Sequence, residues 1–351
     1  MKHIIDGNSP SSNNPVQSVV VDANSAGQRL DNYLMRHLKG VPKTHIYRII
    51  RSGEVRINKG RASADTRLNA GDCVRLPPLR VSARATEKAL LLREQRASAA
   101  PAREFTILFE DEHILAINKP AGVAVHGGSG VSFGVIEQLR MARPEASYLE
   151  LVHRLDRETS GILLLAKKRS ALHSLQDQFR TRTTGKTYLA LVLGQWPANK
   201  KVLDQPLHKY LLPDGERRVK IVAKDDPDGM PSVTLVKVKA VQARGDGAPA
   251  TAYSLLEVTI KTGRTHQIRV HLAAQGMPIA GDDKYGDFDR NKALARGDTG
   301  GADGVALKRM FLHAWRFRCL HPANGATLEL QAPLPAELAQ FLGWVLPHAT
   351  V

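Results

Sequence analysis

The apolar positions of this chain change period several times, and each change marks an element. Leu30, Leu34 and Leu38 recur every four residues after the turn-forming Ala26-Gly27, which predicts an amphipathic helix. A second helix follows from Pro42, with Ile46, Ile49 and Ile50 on one face, Thr44, His45, Arg48 and Arg51 on the other, and Gly53 as its stop. Residues 54–58 and 72–76 alternate as strands, separated by the basic turn Lys59-Gly60-Arg61, and a short strand begins at Val19. Farther on, 105–109 and 113–118 pair as a hairpin across the acidic turn 110–112. Apolar or alternating runs predict strands over 162–166, 188–193, 234–241, 254–260 and 327–331. The helical period predicts helices over 132–141, 171–179, 265–274 and 335–346. Strands in runs, with helices between some of them, predict an α+β fold with a largely antiparallel sheet.

These elements divide into segments. Residues 1–17, polar and rich in Asn and Ser, are expected to be a disordered tail. Residues 18–80 form a small two-helix domain with a short sheet. Residues 81–103 mix Ala, Arg, Ser and Glu without Gly and read as a linker into a large domain over 104–351. The stretch 283–308 is charged and Gly-rich, and reads as a loop longer than compact connections usually are.

A length of 351 residues with 42% apolar content suits two folded domains and excludes a wholly disordered chain. Fifty Lys and Arg against 34 Asp and Glu give a net charge of +16, which favours a polyanionic partner, nucleic acid first. No apolar run approaches the roughly 18 residues of a spanning helix. The first residues lack the apolar core of a signal peptide. Cys73 and Cys319 stand alone, without disulfide or zinc spacing. A cytoplasmic protein without membrane contact is expected.

Charge changes the picture of the small domain. Lys43, Arg48, Arg51, Arg56, Lys59, Arg61 and Arg67 stand against only Glu54 and Asp65. An excess of one sign repels itself without a partner, so this face is expected to bind RNA.

The large domain carries its chemistry around Asp156, in the run L-V-H-R-L-D-R-E-T-S-G-I-L-L-L-A-K-K from Leu151 to Lys168. The turn-forming Thr159-Ser160-Gly161 and a buried strand follow it, and the flanking Arg154 and Arg157 are expected to keep the carboxylate ionised. Such an anion suits a nucleophile, or a base toward sugar carbon. Glycoside hydrolysis fits poorly, because Glu158, the nearby second carboxylate, lacks apolar surroundings to raise it into a general acid. No G-x-S-x-G elbow supplies a serine nucleophile. His266 and His271 are five positions apart, on different faces of either a helix or a strand, so they do not form a metal pair.

His153-Arg154-Leu155-Asp156 with Thr159-Ser160-Gly161 resembles the catalytic signature of the pseudouridine synthases of the RluA class. Three further stretches agree in order: Lys119-Pro120-Ala121-Gly122-Val123-Ala124-Val125-His126, Lys186-Thr187-Tyr188-Leu189-Ala190, and Gly263-Arg264-Thr265-His266-Gln267-Ile268-Arg269-Val270-His271. The small domain resembles the S4 RNA-binding domain. The likeness covers nearly the whole chain, and His126-Gly127-Gly128-Ser129-Gly130 fits it too. It implies an α+β pseudouridine synthase domain with a largely antiparallel mixed sheet, isomerising uridine in large-subunit (23S) ribosomal RNA as a monomer, with neither metal nor organic cofactor. A tRNA substrate, or a non-catalytic ribosome assembly role, are the rival readings. By resemblance, Asp156 attacks the anomeric carbon or removes the neighbouring sugar proton. Tyr188 stacks on the turning base, and Ile268 packs near it. Arg269 pairs with Asp156, with Arg264 the second candidate, and Arg154 enters the helix stack that the flipped uridine leaves.

Overall fold

The structure is a computed structural model that describes residues 16–22, 25–38, 41–78, 101–127, 133–242, 252–298, 304–346 and 348–349. The expectations for residues 1–15, for the linker over 81–100 and for Gly128-Ser129-Gly130 lie outside the described residues. The chain divides into two compact units, 1–101 and 102–351.

In the first unit, β1 (Gln17–Val20), β2 (Arg56–Ile57), β3 (Gly60–Arg61) and β4 (Cys73–Leu76) form an antiparallel sheet in the order β1-β4-β2-β3. Helices α1 (Leu30–His37) and α2 (Lys43–Arg51) pack their apolar stripes together. Leu30, Tyr33, Leu34, Ile46, Ile49, Ile50, Val55, Leu68 and Val74 make the core. The strand expected over 54–58 shrinks to two residues. Asn58 and Lys59 take φ of 48° and 70°, so they form the tight two-residue turn that matches strand twist, and Gly60 pairs back on Ile57.

The second unit begins with β5 (Ile107–Glu110), β6 (Ile114–Lys119), α3 (Val135–Ala142), β7 (Glu150–Leu151), β8 (Ser160–Ala166) and α4 (Arg169–Arg180). It continues with β9 (Gly185–Leu193), β10 (Val202–Asp204), the hairpin β11 (Leu207–Leu211) and β12 (Arg217–Ile221), β13 (Val233–Gln242) and β14 (Tyr253–Ile260). Then come α5 (Gln267–Ala273), α6 (Phe288–Arg296), β15 (Leu312–Leu320), β16 (Thr327–Gln331) and α7 (Ala336–Val345). The main sheet runs β10-β13-β14-β9-β15-β8-β6-β5, with β16 on β15 and β7 on β8. Its pairings are antiparallel except β8 with β15.

Two features depart from the sequence reading. The stretch 283–308, read as a loop, contains α6, whose first turn is capped by the Asp287 side chain accepting from Arg290 N at 3.1 Å, and which Gly297 ends in the left-handed region. Strand β15, passed over because His313, Arg316 and Arg318 interrupt its apolar residues, lies in the middle of the sheet. Its second half alternates exposed Arg316 and Arg318 with buried Phe317 and Cys319, as a half-covered strand should. Gly161 makes the β8–β15 junction possible. Its φ is +110°, and a Cβ there would stand 2.2 Å from the Ala314 carbonyl oxygen, so no other residue fits.

Candidate active site

Asp156 occupies the turn between β7 and β8. Its carbonyl accepts Thr159 N at 3.2 Å, and all seven residues of β8 then enter the core. The turn is fastened from beneath. Lys119, wholly buried at the end of β6, donates its Nζ to Pro120 O and Val123 O at 2.8 Å and to Arg157 O at 3.0 Å. Burial pulls its pKa down to about 7, with Glu158 opposing, while three carbonyl acceptors favour the ammonium form. Arg309 donates to Ser160 Oγ at 2.8 Å and to Glu158 O at 3.4 Å, and pairs with Glu337 at 3.1 Å. Ser160 Oγ also lies 2.9 Å from His313 Nδ1. The turn that follows Asp156 is thus held by groups from β6, from the β8–β15 junction and from the segment before β15.

The flanking arginines do not hold the carboxylate, contrary to the sequence reading. Arg157 turns away to Gly122 O at 3.1 Å and to Glu158 at 3.3 Å. Arg154 is exposed and makes no side-chain hydrogen bond or ion pair among the described residues; it lines the cleft. The cation that meets Asp156 comes from α5. Arg269 Nη1 lies 3.4 Å from Asp156 Oδ2, while Nε and Nη2 bind Asp282 at 2.8 and 2.7 Å, and Nη2 also reaches Asp283 at 3.3 Å. Burial works against this guanidinium's charge, but the Asp282 bonds and the surrounding carboxylates outweigh it and raise its pKa. For Asp282 burial is again the largest influence and pushes upward, yet the Arg269 contact and the backbone N–H groups of Lys284 and Tyr285 leave it below its ordinary value. Asp156 Oδ1 has no hydrogen bond among the described residues, and its side chain is 26% exposed to the cleft.

Helix α5 starts where these contacts need it. Gln267 is buried and ties the first turn to the β13–β14 ladder, accepting from Thr262 Oγ1 at 2.8 Å and donating to Val233 O at 3.0 Å. Just before it, His266 takes φ 54°, in the left-handed region that β-carbon-bearing residues rarely adopt. That twist aims the imidazole at two partners. Val219 N donates to the Tyr285 hydroxyl at 3.0 Å, and that hydroxyl lies 2.8 Å from His266 Nδ1. His266 Nε2 lies 4.0 Å from Asp156 Oδ2. Burial lowers the His266 pKa, against the pull of Asp156. Arg264 points elsewhere, donating to Pro231 O at 3.3 Å, though it lines the same cleft. His271 is buried on Thr234 and the Gln205 carbonyl, away from His266.

The cleft over Asp156 measures about 570 Å³, and Tyr188, Ile268, His266 and Lys284 are among its walls. Tyr188, from β9, packs against two of the apolar cores, and burial together with the Asp156 charge pushes its pKa up. Such a phenol is a weaker proton acceptor at neutral pH than a free tyrosine, and a flat apolar platform. Ile268 is buried in the core that Tyr188 touches.

Sequence reasoning missed Asp282, Tyr285 and Arg309, and quoted Lys119 without giving it a task. The signal for the first two was present in Gly281-Asp282-Asp283-Lys284-Tyr285-Gly286, an acidic pair in a glycine-bounded turn with an aromatic beside it. Nothing in the sequence around Arg309 distinguishes it from a surface arginine.

In the first unit, Lys43, Arg48, Arg51, Arg56, Lys59 and Arg61 are all exposed, and none forms an ion pair among the described residues. Arg48 leans on His45 at 3.0 Å, and Arg56 caps the Gly53 and Lys59 carbonyls at 3.3 Å. Asp31 is itself buried, pairs with the exposed Arg29 at 2.7 Å and accepts from the exposed Tyr47 hydroxyl at 3.1 Å.

No helix among the described residues is long and apolar enough to cross a membrane. Residues 28–74 match the S4 domain, and residues 113–274 match the RNA pseudouridylate synthase family. The chain is 48% identical over 340 residues to the ribosomal large subunit pseudouridine synthase C of Yersinia pestis, covering 97% of this chain and 99% of that one. It is 49% identical over 327 residues to the protein of the same name from Escherichia coli strain K12, covering 93% and 96%. Among solved structures, human RNA pseudouridylate synthase domain containing 4 superposes with a TM-score of 0.54 at 27% identity, over 72% of this chain and 97% of that one. With a carboxylate facing a cleft that Arg154, Arg264 and Lys284 also line, an S4 domain ahead of it and relatives that match almost end to end, the chain belongs to the RNA pseudouridylate synthase family.

Proposed function

We propose that this chain isomerises uridine to pseudouridine in large-subunit (23S) ribosomal RNA, acting in the cytoplasm as a single chain without metal or organic cofactor. The substrate class follows the names of its near full-length relatives and suits the unneutralised basic face of the S4 domain. The observation that carries the catalytic assignment is the Asp156 carboxylate, with one oxygen on Arg269 and the other unbonded toward the cleft. An anion facing RNA repels phosphate and has no use in a binding scaffold. In an isomerase it attacks the anomeric carbon or takes the neighbouring sugar proton, while the bond from ribose to N1 breaks and the bond to C5 forms. The carboxylate then leaves the sugar carbon, or the sugar proton returns, and N1 takes up a proton as C5 loses one.

The remaining roles follow position. The target uridine must leave its helix to reach a cleft of this kind. Exposed Arg154 at the rim is placed to fill the gap it leaves, and Tyr188 and Ile268 form the surface against which the uracil turns. Arg269 sets a fixed positive charge beside the Asp156 carboxylate. Arg264, one wall over, is free to take a phosphate of the swung-out nucleotide.

The test is release of tritium from [5-³H]uridine in transcripts of large-subunit ribosomal RNA and of tRNA, with and without chelator. Release from the ribosomal transcript alone, unaffected by chelator, is the expected result. Release from tRNA alone would transfer the substrate to the rival class, and no release from either would leave an RNA-binding assembly factor.

A further inference from the structure

A second cavity, of about 490 Å³, adjoins the Asp156 cleft and shares Arg154, Tyr188 and Ile260 with it. Its own walls are Val152, His153, Phe179 and Lys186. Lys186 stands two residues before Tyr188 in β9, so both side chains leave the same face of the strand.

Lys186 is the unusual member. The residue is only 9% exposed, yet its ammonium has no carboxylate and no hydrogen-bond acceptor among the described residues. Its Nζ lies 5.1 Å from the centre of the Phe179 ring, and the neighbouring charge that acts on it, Arg182, has the same sign. The wall behind it is flat and uncharged. The His153 ring lies 5.2 Å from Phe179 and 6.0 Å from Phe317, which are themselves 5.8 Å apart, and its Nε2 accepts Leu164 N at 3.1 Å, which fixes the neutral tautomer. A buried cation without a partner is costly, and a cation–π contact offsets only part of that. The Lys186 ammonium opens on the cavity, so an acceptor that enters there can partner it.

Shape and polarity narrow its chemistry. A phosphate would lose its hydration against Val152, Phe179 and Ile260 for a single donor. A nucleobase has two apolar faces and carries its acceptors on its edge, and unpaired RNA bases are read by this combination of stacking and edge hydrogen bonds. We propose that this cavity is a second base pocket, which takes the base of a nucleotide neighbouring the target uridine, its face along the apolar wall of Val152, Phe179 and Ile260 and an edge carbonyl on Lys186 Nζ. The pocket rests on the reading that the Asp156 cleft receives a uridine of the same RNA. Uracil, cytosine and guanine offer the ammonium a carbonyl oxygen, whereas adenine offers only ring nitrogens, each flanked by C–H or amino groups and a poorer fit to a cation. The enzyme therefore prefers one of the first three at that neighbouring position.

The test uses the full chain and a ribosomal stem-loop that it modifies. Turnover of the unaltered transcript comes first and probes the cleft, not the second pocket. Each nucleotide flanking the target is then made abasic in turn. One position should lower kcat/KM by about tenfold or more, the scale of losing one stacked base. At that position adenine should lose most of what guanine or uracil retains. Lys186→Met, close in shape and relieved of a buried charge, should erase that preference while its thermal unfolding stays near the parent's. A parent enzyme indifferent to every flanking abasic site overturns the proposal without any variant. So does a folded Lys186→Met protein that keeps the parent's discrimination against adenine.

Discussion

Arg269 reaches Asp156 through a single nitrogen at 3.4 Å, while its other two nitrogens are committed to Asp282 at 2.7 and 2.8 Å. The short bidentate pair fixes the guanidinium, and the long third contact only leans on the catalytic candidate. Asp156 thus has a stationary positive neighbour without being clamped by it, which leaves its carboxylate able to move onto a sugar carbon.

If Asp156 is the reacting group, Asp156→Asn should abolish tritium release while RNA affinity stays within a few-fold of the parent, or tightens as repulsion with phosphate is relieved. Filter binding beside the release assay separates the two effects. Near-parental turnover in a clean preparation would remove Asp156 from the centre of the mechanism.

Asp282→Asn should cost stability as well as activity. Arg269 and Asp282 have side chains 5% and 1% exposed, and breaking such a pair by removing one member typically costs about 3–5 kcal/mol. The melting temperature should fall by roughly 10 °C in a domain of this size. A variant that melts with the parent but loses turnover would show that Asp282 acts on Asp156 alone and not on the fold.

Acid should unfold the second unit earlier than carboxylate titration alone requires. Burial pushes the His313 pKa down to about 4, from an ordinary 6.5. The unfolded chain therefore takes up a proton as pH drops below about 6.5, while the folded chain refuses it until about 4. Stability from this group is full above that window and is lost as pH falls through it, by roughly 3 kcal/mol in all. His153, pushed by burial to about 4 as well, adds in the same direction. Melting temperatures from pH 7.5 to 4.5 should show the decline, and His313→Gln should flatten it; an unchanged slope in the variant would assign the decline to other groups.

The S4 face should reveal itself through salt. Each Arg48 or Arg51 contact to phosphate releases counterions, so Arg48→Ala with Arg51→Ala should lower the slope of log affinity against log salt by about one to two units. Both side chains lie outside the Ile46, Ile49 and Ile50 core, so the fold should persist. KM should rise with kcat largely intact. A folded double variant with the parent's slope would make this face ordinary solvated surface.

Much of this was legible in the sequence where local pattern decides structure. The apolar stripe of α2 and the run before Ala166 appear in the structure as a packed helix and a buried strand. The antiparallel character of the sheet followed from strands arriving in runs. What local pattern does not carry are the meetings of distant segments. Asp156 and Arg269 are 113 positions apart, and their pairing was expected from the family resemblance alone, whereas the hold of Asp282 on Arg269, where a glycine turn brings the chain back to α5, was not expected at all. The arginines adjacent to Asp156 in sequence looked like its partners, yet neighbours on a tight turn point away from one another. β15 was overlooked because its charges face solvent on a strand whose other face is core.

The glycine junction between β8 and β15 bears on how the molecule is made. Ser160 rests on His313, 153 positions downstream, and Gly161 lets the Ala314 backbone close against it. A growing chain therefore holds Asp156, Tyr188 and Arg269 well before it holds the strand that supports their turn. Competence arrives late in synthesis, after the basic first unit is already complete. A product that stops short of Leu312 would grip RNA and leave it unaltered.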